Sequence, residues 1–212
     1  MTLTQKLESA RLLIFNSKDA AIAPLLDTMG VDTAYIDKGE ALYNETMQRV
    51  TNQKKEYQEQ SLAYDKFYLK RDEVELTFNR TLKLVKVLSR NDKDLRNRLG
   101  LESDTAHAIE AWIDSAVDFY NSLLNEADFL STIAKFKVTA DRLNTEKAAI
   151  ENLRQLRNEA TIEKGQAQEA TRLRNEKLDE LDDYCKELKT IAELALEGQP
   201  QSLEKLGILV RS

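Results

Sequence analysis

Apolar residues recur at helical spacing along almost the whole chain, and the breaks between these runs mark the elements. Leu3, Leu7, Ala10 and Ile14 predict a short helix from Thr4 to Ser17. A second is expected from Asp19 to Met29, ended by Gly30 and either kinked by Pro24 or starting late. Asp32 or Thr33 then caps a long stretch to Arg90 that contains no proline and only Gly39. Its apolar positions gather at the two ends: Ile36, Leu42, Met47 and Val50, then Phe67, Val74, Phe78, Leu82, Val85 and Leu88. Between them, Thr51 to Gln60 offers only Tyr57.

The second half repeats this plan. Asp92 to Leu99 reads as a short helix stopped by Gly100, and Ser103 or Asp104 caps an amphipathic helix. That helix carries Ile109, Trp112, Ile113, Ala116, Tyr120, Leu123 and Leu124 on one face. Ala127 to Lys135 is short again. Thr139 caps a second long helix that runs to Glu197, before the stop signal Gly198 and Pro200. Leu203 and Leu206 belong to a last short helix, with Ile208, Leu209 and Val210 as an apolar tail. Within the second long helix, Leu153, Ala160, Ala167, Leu181, Leu188 and Ala195 share a seven-residue grid that Arg174 interrupts, which predicts a coiled-coil-like seam.

The two halves also align without a gap at the offset that carries Gly100 onto Gly207. Val31 falls on Val138, Ala41 on Ala148, Gln48 on Gln155, Ala63 on Ala170, Lys70 on Lys177, and Asp72-Glu73 on Asp179-Glu180. Residues 1–101 are therefore read as a first helical repeat and 102–212 as a second, intertwined in one structural unit. The expected fold is all-α, with two long antiparallel helices forming a waist and a small helical bundle at each end. Antiparallel packing sets the polar stretch Thr51 to Gln60 against the equally polar Gln168 to Lys177. The alternative breaks each long helix near Gln58 and Gly165 and folds it back, in a region poor in turn residues. Gly165 is either a flexible point or a place where helices approach closely.

Composition narrows the function. Six Gly and two Pro in 212 residues fit long helices rather than sheet. A net charge of -6 argues against a general nucleic-acid binder. Cys185 is the only cysteine, so no disulfide closes within the chain, and no apolar run approaches a membrane span; a cytoplasmic location is expected.

Candidate chemistry is sparse. The one histidine, His107, has no Glu three residues before it, unlike the Glu-x-x-His pairs of di-iron bundles. Cys185 and His107 are expected at opposite ends, and Cys185 reads as a small apolar residue on the face of Leu178, Leu181 and Leu188. Asp179, Glu180, Asp182 and Asp183 lack the spacing of a calcium loop and read as a solvated face. Arg90, Lys93, Arg96 and Arg98 are interleaved with Asp92 and Asp94, as on a mixed-charge surface. No phosphate-binding or dinucleotide motif is present. No catalytic residue, cofactor or metal ligand is assigned.

The segments Lys164 to Thr171, Leu181-Asp182-Asp183, Ile191-Ala192 and Leu203 to Ile208 resemble an uncharacterised all-helical family of Bacteroidetes-type bacteria. The resemblance covers most of the chain and implies no activity or site residue. The leading expectation is a non-enzymatic structural or interaction protein: a spacer, adaptor or assembly subunit. The alternatives are a membrane-active protein of the pore-forming type and an enzyme with an unrecognised carboxylate site. The candidate partner interface is Tyr57, Tyr64 and Phe67, with the small residues Ala160, Gly165, Ala167 and Ala170. It would serve a protein partner or a homodimer packed along the waist, with neither nucleic acid nor membrane as a partner.

Overall fold

The computed structural model of the chain describes residues 1–102 and 108–209. Among them every regular element is helical: α1 (Leu3–Asn16), α2 (Ala23–Asp27), α3 (Thr33–Leu88), α4 (Lys93–Arg98), α5 (Ile109–Leu124), α6 (Ala127–Ile133), a 3-10 turn (Ala134–Phe136), α7 (Ala140–Ala195) and α8 (Pro200–Lys205). The all-α expectation holds, with α3 and α7 packed together and the shorter helices at their ends. Neither long helix breaks near Gln58 or Gly165.

Local chemistry sets the boundaries. Thr2 and Gln5 form a reciprocal capping box at the start of α1. The Asp32 carboxylate accepts from the Tyr35 amide at 2.8 Å, and Asp92 accepts from the Leu95 amide at 2.9 Å. Thr139 Oγ1 accepts from the Arg142 amide at 3.3 Å. Pro24 sits in the first turn of α2, where its missing N–H costs nothing, so that helix starts late rather than kinking. Gly30, Gly100, Gly198 and Gly207 all adopt positive φ just beyond a helix. The caps expected at Ser103 or Asp104, His107 and the tail residue Val210 lie outside the described residues.

The chain forms two compact units, each drawing on both sequence halves. The first comprises 1–57 and 166–212. Leu7, Leu13 and Ile14 of α1 pack there with Ile22, Leu26, Ile36 and Val50, and with Leu181, Leu188, Ala192 and Leu196 of α7. Within it α3 and α7 run antiparallel. The Tyr184 hydroxyl donates to the Tyr35 carbonyl at 2.9 Å, Thr46 Oγ1 to the Lys177 carbonyl at 3.3 Å, and Gln53 Nε2 to Thr171 Oγ1 at 3.3 Å. Arg174, which interrupts the apolar grid, donates to Gln53 Oε1 at 3.0 Å. The interruption on one helix thus meets a polar partner on the other.

The second unit comprises 58–165. Phe67, Val74, Phe78 and Val85 of α3 face Ile113, Ala116, Phe119, Tyr120 and Leu123 of α5, and Leu143, Ile150 and Leu153 of α7. Phe78 meets Trp112, Phe119 and Tyr120 edge-on, with ring centroids 5.6, 5.5 and 5.9 Å apart. On α7, Arg154 pairs with Asp114 and Arg157 with Glu110, while Lys147 donates to Asn121 at 3.2 Å, so α5 runs antiparallel to α7.

Candidate functional site

The most concentrated polar feature of the second unit is a buried carboxylate. Glu146 of α7 is only 8% exposed and sits between α3 and α5. Its Oε2 accepts from Thr81 Oγ1 at 2.8 Å and from the Tyr120 hydroxyl at 2.9 Å, and its Oε1 accepts from Arg142 Nε at 2.7 Å. Burial, reinforced by Glu146, pushes the Tyr120 hydroxyl far above the usual tyrosine range. Both carboxylate oxygens are occupied, by donors from three helices in all. The arrangement neutralises a buried charge and ties α3, α5 and α7 together.

The first unit holds a different packing device. A Cβ added to Gly39 would lie 2.5 Å from the Tyr184 ring. That ring stacks on Tyr35 at 5.1 Å, so the lone glycine of α3 makes room for an aromatic from α7. Burial, with Glu187 adding to it, pushes the Tyr35 hydroxyl up to about 12. Burial likewise raises the half-buried Cys185 thiol to about 11, with Asp182 contributing, so the thiolate is scarce at neutral pH.

The acidic cluster is distributed among lysines. Asp182 pairs with Lys6, Glu180 with Lys177 and Asp183 with Lys186. Of the basic group, Arg96 pairs with Glu102 and Arg98 with Glu126, as a mixed-charge surface would. Beside them lies a cleft of about 710 Å³ floored by Phe78, Leu82, Leu101, Trp112 and Phe119. No helix among the described residues is long and apolar enough to cross a membrane.

The proposed partner residues fall into two groups. Phe67, Ala160 and Ala167 are buried within the chain, whereas Tyr57 and Gly165 are exposed and Tyr64 and Ala170 half-buried. No described atom comes within 4 Å of a Cβ placed on Gly165, so it permits no close helix approach inside the chain. Tyr64 stacks on Tyr68 at 6.0 Å, and the Arg71 guanidinium lies over Tyr68 at 5.3 Å.

A feature absent from the sequence reading is more regular. Leu62, Leu69 and Leu76 of α3 are 67%, 73% and 53% exposed. They are seven residues apart and lie about 200° around the helix from the buried line of Phe67 and Val74. The grid used on the second long helix would have revealed them on the first, but the core line two residues away masks their period.

Compared with known proteins, the chain matches no family model, no curated protein and no solved structure.

Proposed function

We propose that the chain is a non-enzymatic helical scaffold that works by contact with protein, as a spacer, adaptor or assembly subunit. The observation that carries this reading is the second apolar line of α3. Leu62, Leu69 and Leu76 recur at the spacing of a helix-packing seam, yet stand in solvent on the side away from the core. Helix propensity alone favours Ala, Lys or Glu at such positions just as well.

An origin by internal duplication supports the same reading. α3 and α7 start and end at matching positions under the Gly100-to-Gly207 offset, and so do α4 and α8. Two copies of one helical plan produce a frame, and both oxygens of the buried Glu146 carboxylate are already taken by donors of the chain itself. A reducing compartment, the cytoplasm in the simplest case, suits a chain whose one thiol is half-buried and protonated at neutral pH.

Quantitative capture on the full chain, followed by mass spectrometry, tests the proposal. The expected result is a stoichiometric protein partner or a second copy whose retention is lost on Leu69→Glu. No stoichiometric protein, together with catalytic turnover by the purified chain in a hydrolase and transferase screen, would contradict it.

A further inference from the structure

We propose that the cleft between α3 and α5 binds a free acyl-chain anion, in its simplest form a long-chain carboxylate, with the chain on the aromatic floor and the head at Lys86. This is independent of the contact reading above. The cleft of about 710 Å³ is bounded by α3 from Arg71 to Lys86, by residues 97–101 and by α5 from Ile109 to Ser122. Its volume is that of a small-ligand site. Arg71 and Lys86 stand about 22 Å apart along the helix, so the cleft is long and suits a flexible chain better than a compact ring. Leu82, Ile109 and Trp112 line it while only half-buried, which leaves apolar surface for a chain to cover.

Charge gives the cleft a direction. Glu75 stands about 16 Å from Lys86 along α3. Tyr120 is level with Thr81, since both hydroxyls reach Glu146, so Asp118 lies nearer the Glu75 end. After Glu75 no acidic residue occurs before Asp92, whereas Arg80, Lys83, Lys86 and Arg90 do. At the Lys86 end, Asn79, Leu82 and Lys86 are shared with a hollow of about 430 Å³ that Lys83, Val87 and Arg90 complete. No acidic side chain lines that hollow. Among the described residues Lys83, Lys86 and Arg90 form no ion pair, while Arg71 is held by Asp72 and Arg98 by Glu126, with Asp92 and Asp94 near it. Lys83 and Lys86 are three residues apart, and Lys86 and Arg90 four, the spacings at which like charges on a helix repel. An anionic head set among them replaces that repulsion with attraction, and a neutral or cationic head does not.

Titration of the full chain with dodecanoate, below its micelle concentration and up to about 1 mM, tests this by Trp112 emission and calorimetry. One equivalent is expected to bind saturably with helical circular dichroism unchanged. Dodecanol and dodecyltrimethylammonium should bind at least about fivefold more weakly, and acetate, a head without a chain, should give no signal. Lys86→Glu should raise the dissociation constant for dodecanoate at least about fivefold, and so should Ser115→Phe, which puts bulk at the exposed edge of the cleft. Lys54→Glu, at an exposed lysine of the first unit, should leave it unaltered. No saturable binding would overturn the proposal, as would equal affinity for dodecanol, indifference to Lys86→Glu, or many equivalents bound with loss of helix. Binding to phosphatidylglycerol vesicles without binding of monomeric dodecanoate would overturn it as well, because the cleft admits a free chain and not one held in a bilayer.

Discussion

Removing the Glu146 carboxylate should unfold the second unit far more readily than removing an exposed one. The carboxylate accepts from Thr81, Tyr120 and Arg142 while 8% exposed. Hydrogen bonds to a charged group contribute about 1.5–3 kcal/mol each, so Tyr120→Phe, which deletes one donor, should cost about 2 kcal/mol. Glu146→Ala leaves the Thr81 and Tyr120 hydroxyls buried without this acceptor and adds a cavity. Arg142 is 42% exposed and can turn to water, which limits its share. The sum is about 3–5 kcal/mol, the range for breaking a buried charged network. Replacing the hydrogen-bonded set together, as Thr81→Val, Tyr120→Phe and Glu146→Leu, should recover most of that loss, because apolar isosteres leave no orphaned group. Urea titration followed by the fluorescence of Trp112, the only tryptophan, reports on this unit directly, since its ring packs on Phe78. Equal costs for Glu146→Ala and for Glu151→Ala on the exposed face would refute the reasoning, as would a triple variant less stable than Glu146→Ala.

Other expectations can be checked on the same material. The two mid-helix glycines should respond with opposite sign: Gly39→Ala should lower Tm, costing about 1–3 kcal/mol by overpacking against Tyr184, whereas Gly165→Ala in open space should raise stability by up to about 1 kcal/mol. Stability should fall as pH rises above about 10, because the folded-state pKa values of Tyr35, Tyr120 and Tyr184 all lie above the unfolded value. Such groups contribute stability that is complete below the unfolded pKa and lost on titration upward; thermal melts between pH 8 and 11.5 would show no decline if this were wrong. Cys185 should react with iodoacetamide at pH 8 much more slowly than a free thiol, and equal rates in native and urea-unfolded protein would contradict its raised pKa.

What could be read from the sequence follows the range of the interaction concerned. Caps at Asp32 and Thr139, and stops at Gly30, Gly100 and Gly198, act within a few residues, and they were legible. So was the polar match of Gln53 with Thr171 and Arg174, because antiparallel packing determines which stretches meet. Gly39 was not, since its purpose lies in Tyr184, far along the chain. Nor was Glu146, which reads as one more acidic residue on a charged helix until Thr81 and Tyr120 are brought to it. The outward leucine line was not legible: a partner surface was expected at Tyr57, Tyr64, Phe67 and the small residues of α7, of which Phe67, Ala160 and Ala167 lie in the chain's own interior. Small size on a seven-residue line signals a seam without saying whose seam it is.

Site-resolved photo-crosslinking in living cells tests the central claim most directly. A photoreactive amino acid would replace Leu69 on the outward line, and separately Leu194, also exposed, for comparison. The contact reading expects a discrete cross-linked protein from position 69, diminished by Leu62→Glu and Leu76→Glu, and no comparable product from position 194. Position 69 yielding no discrete product, or the same products as position 194, would contradict it.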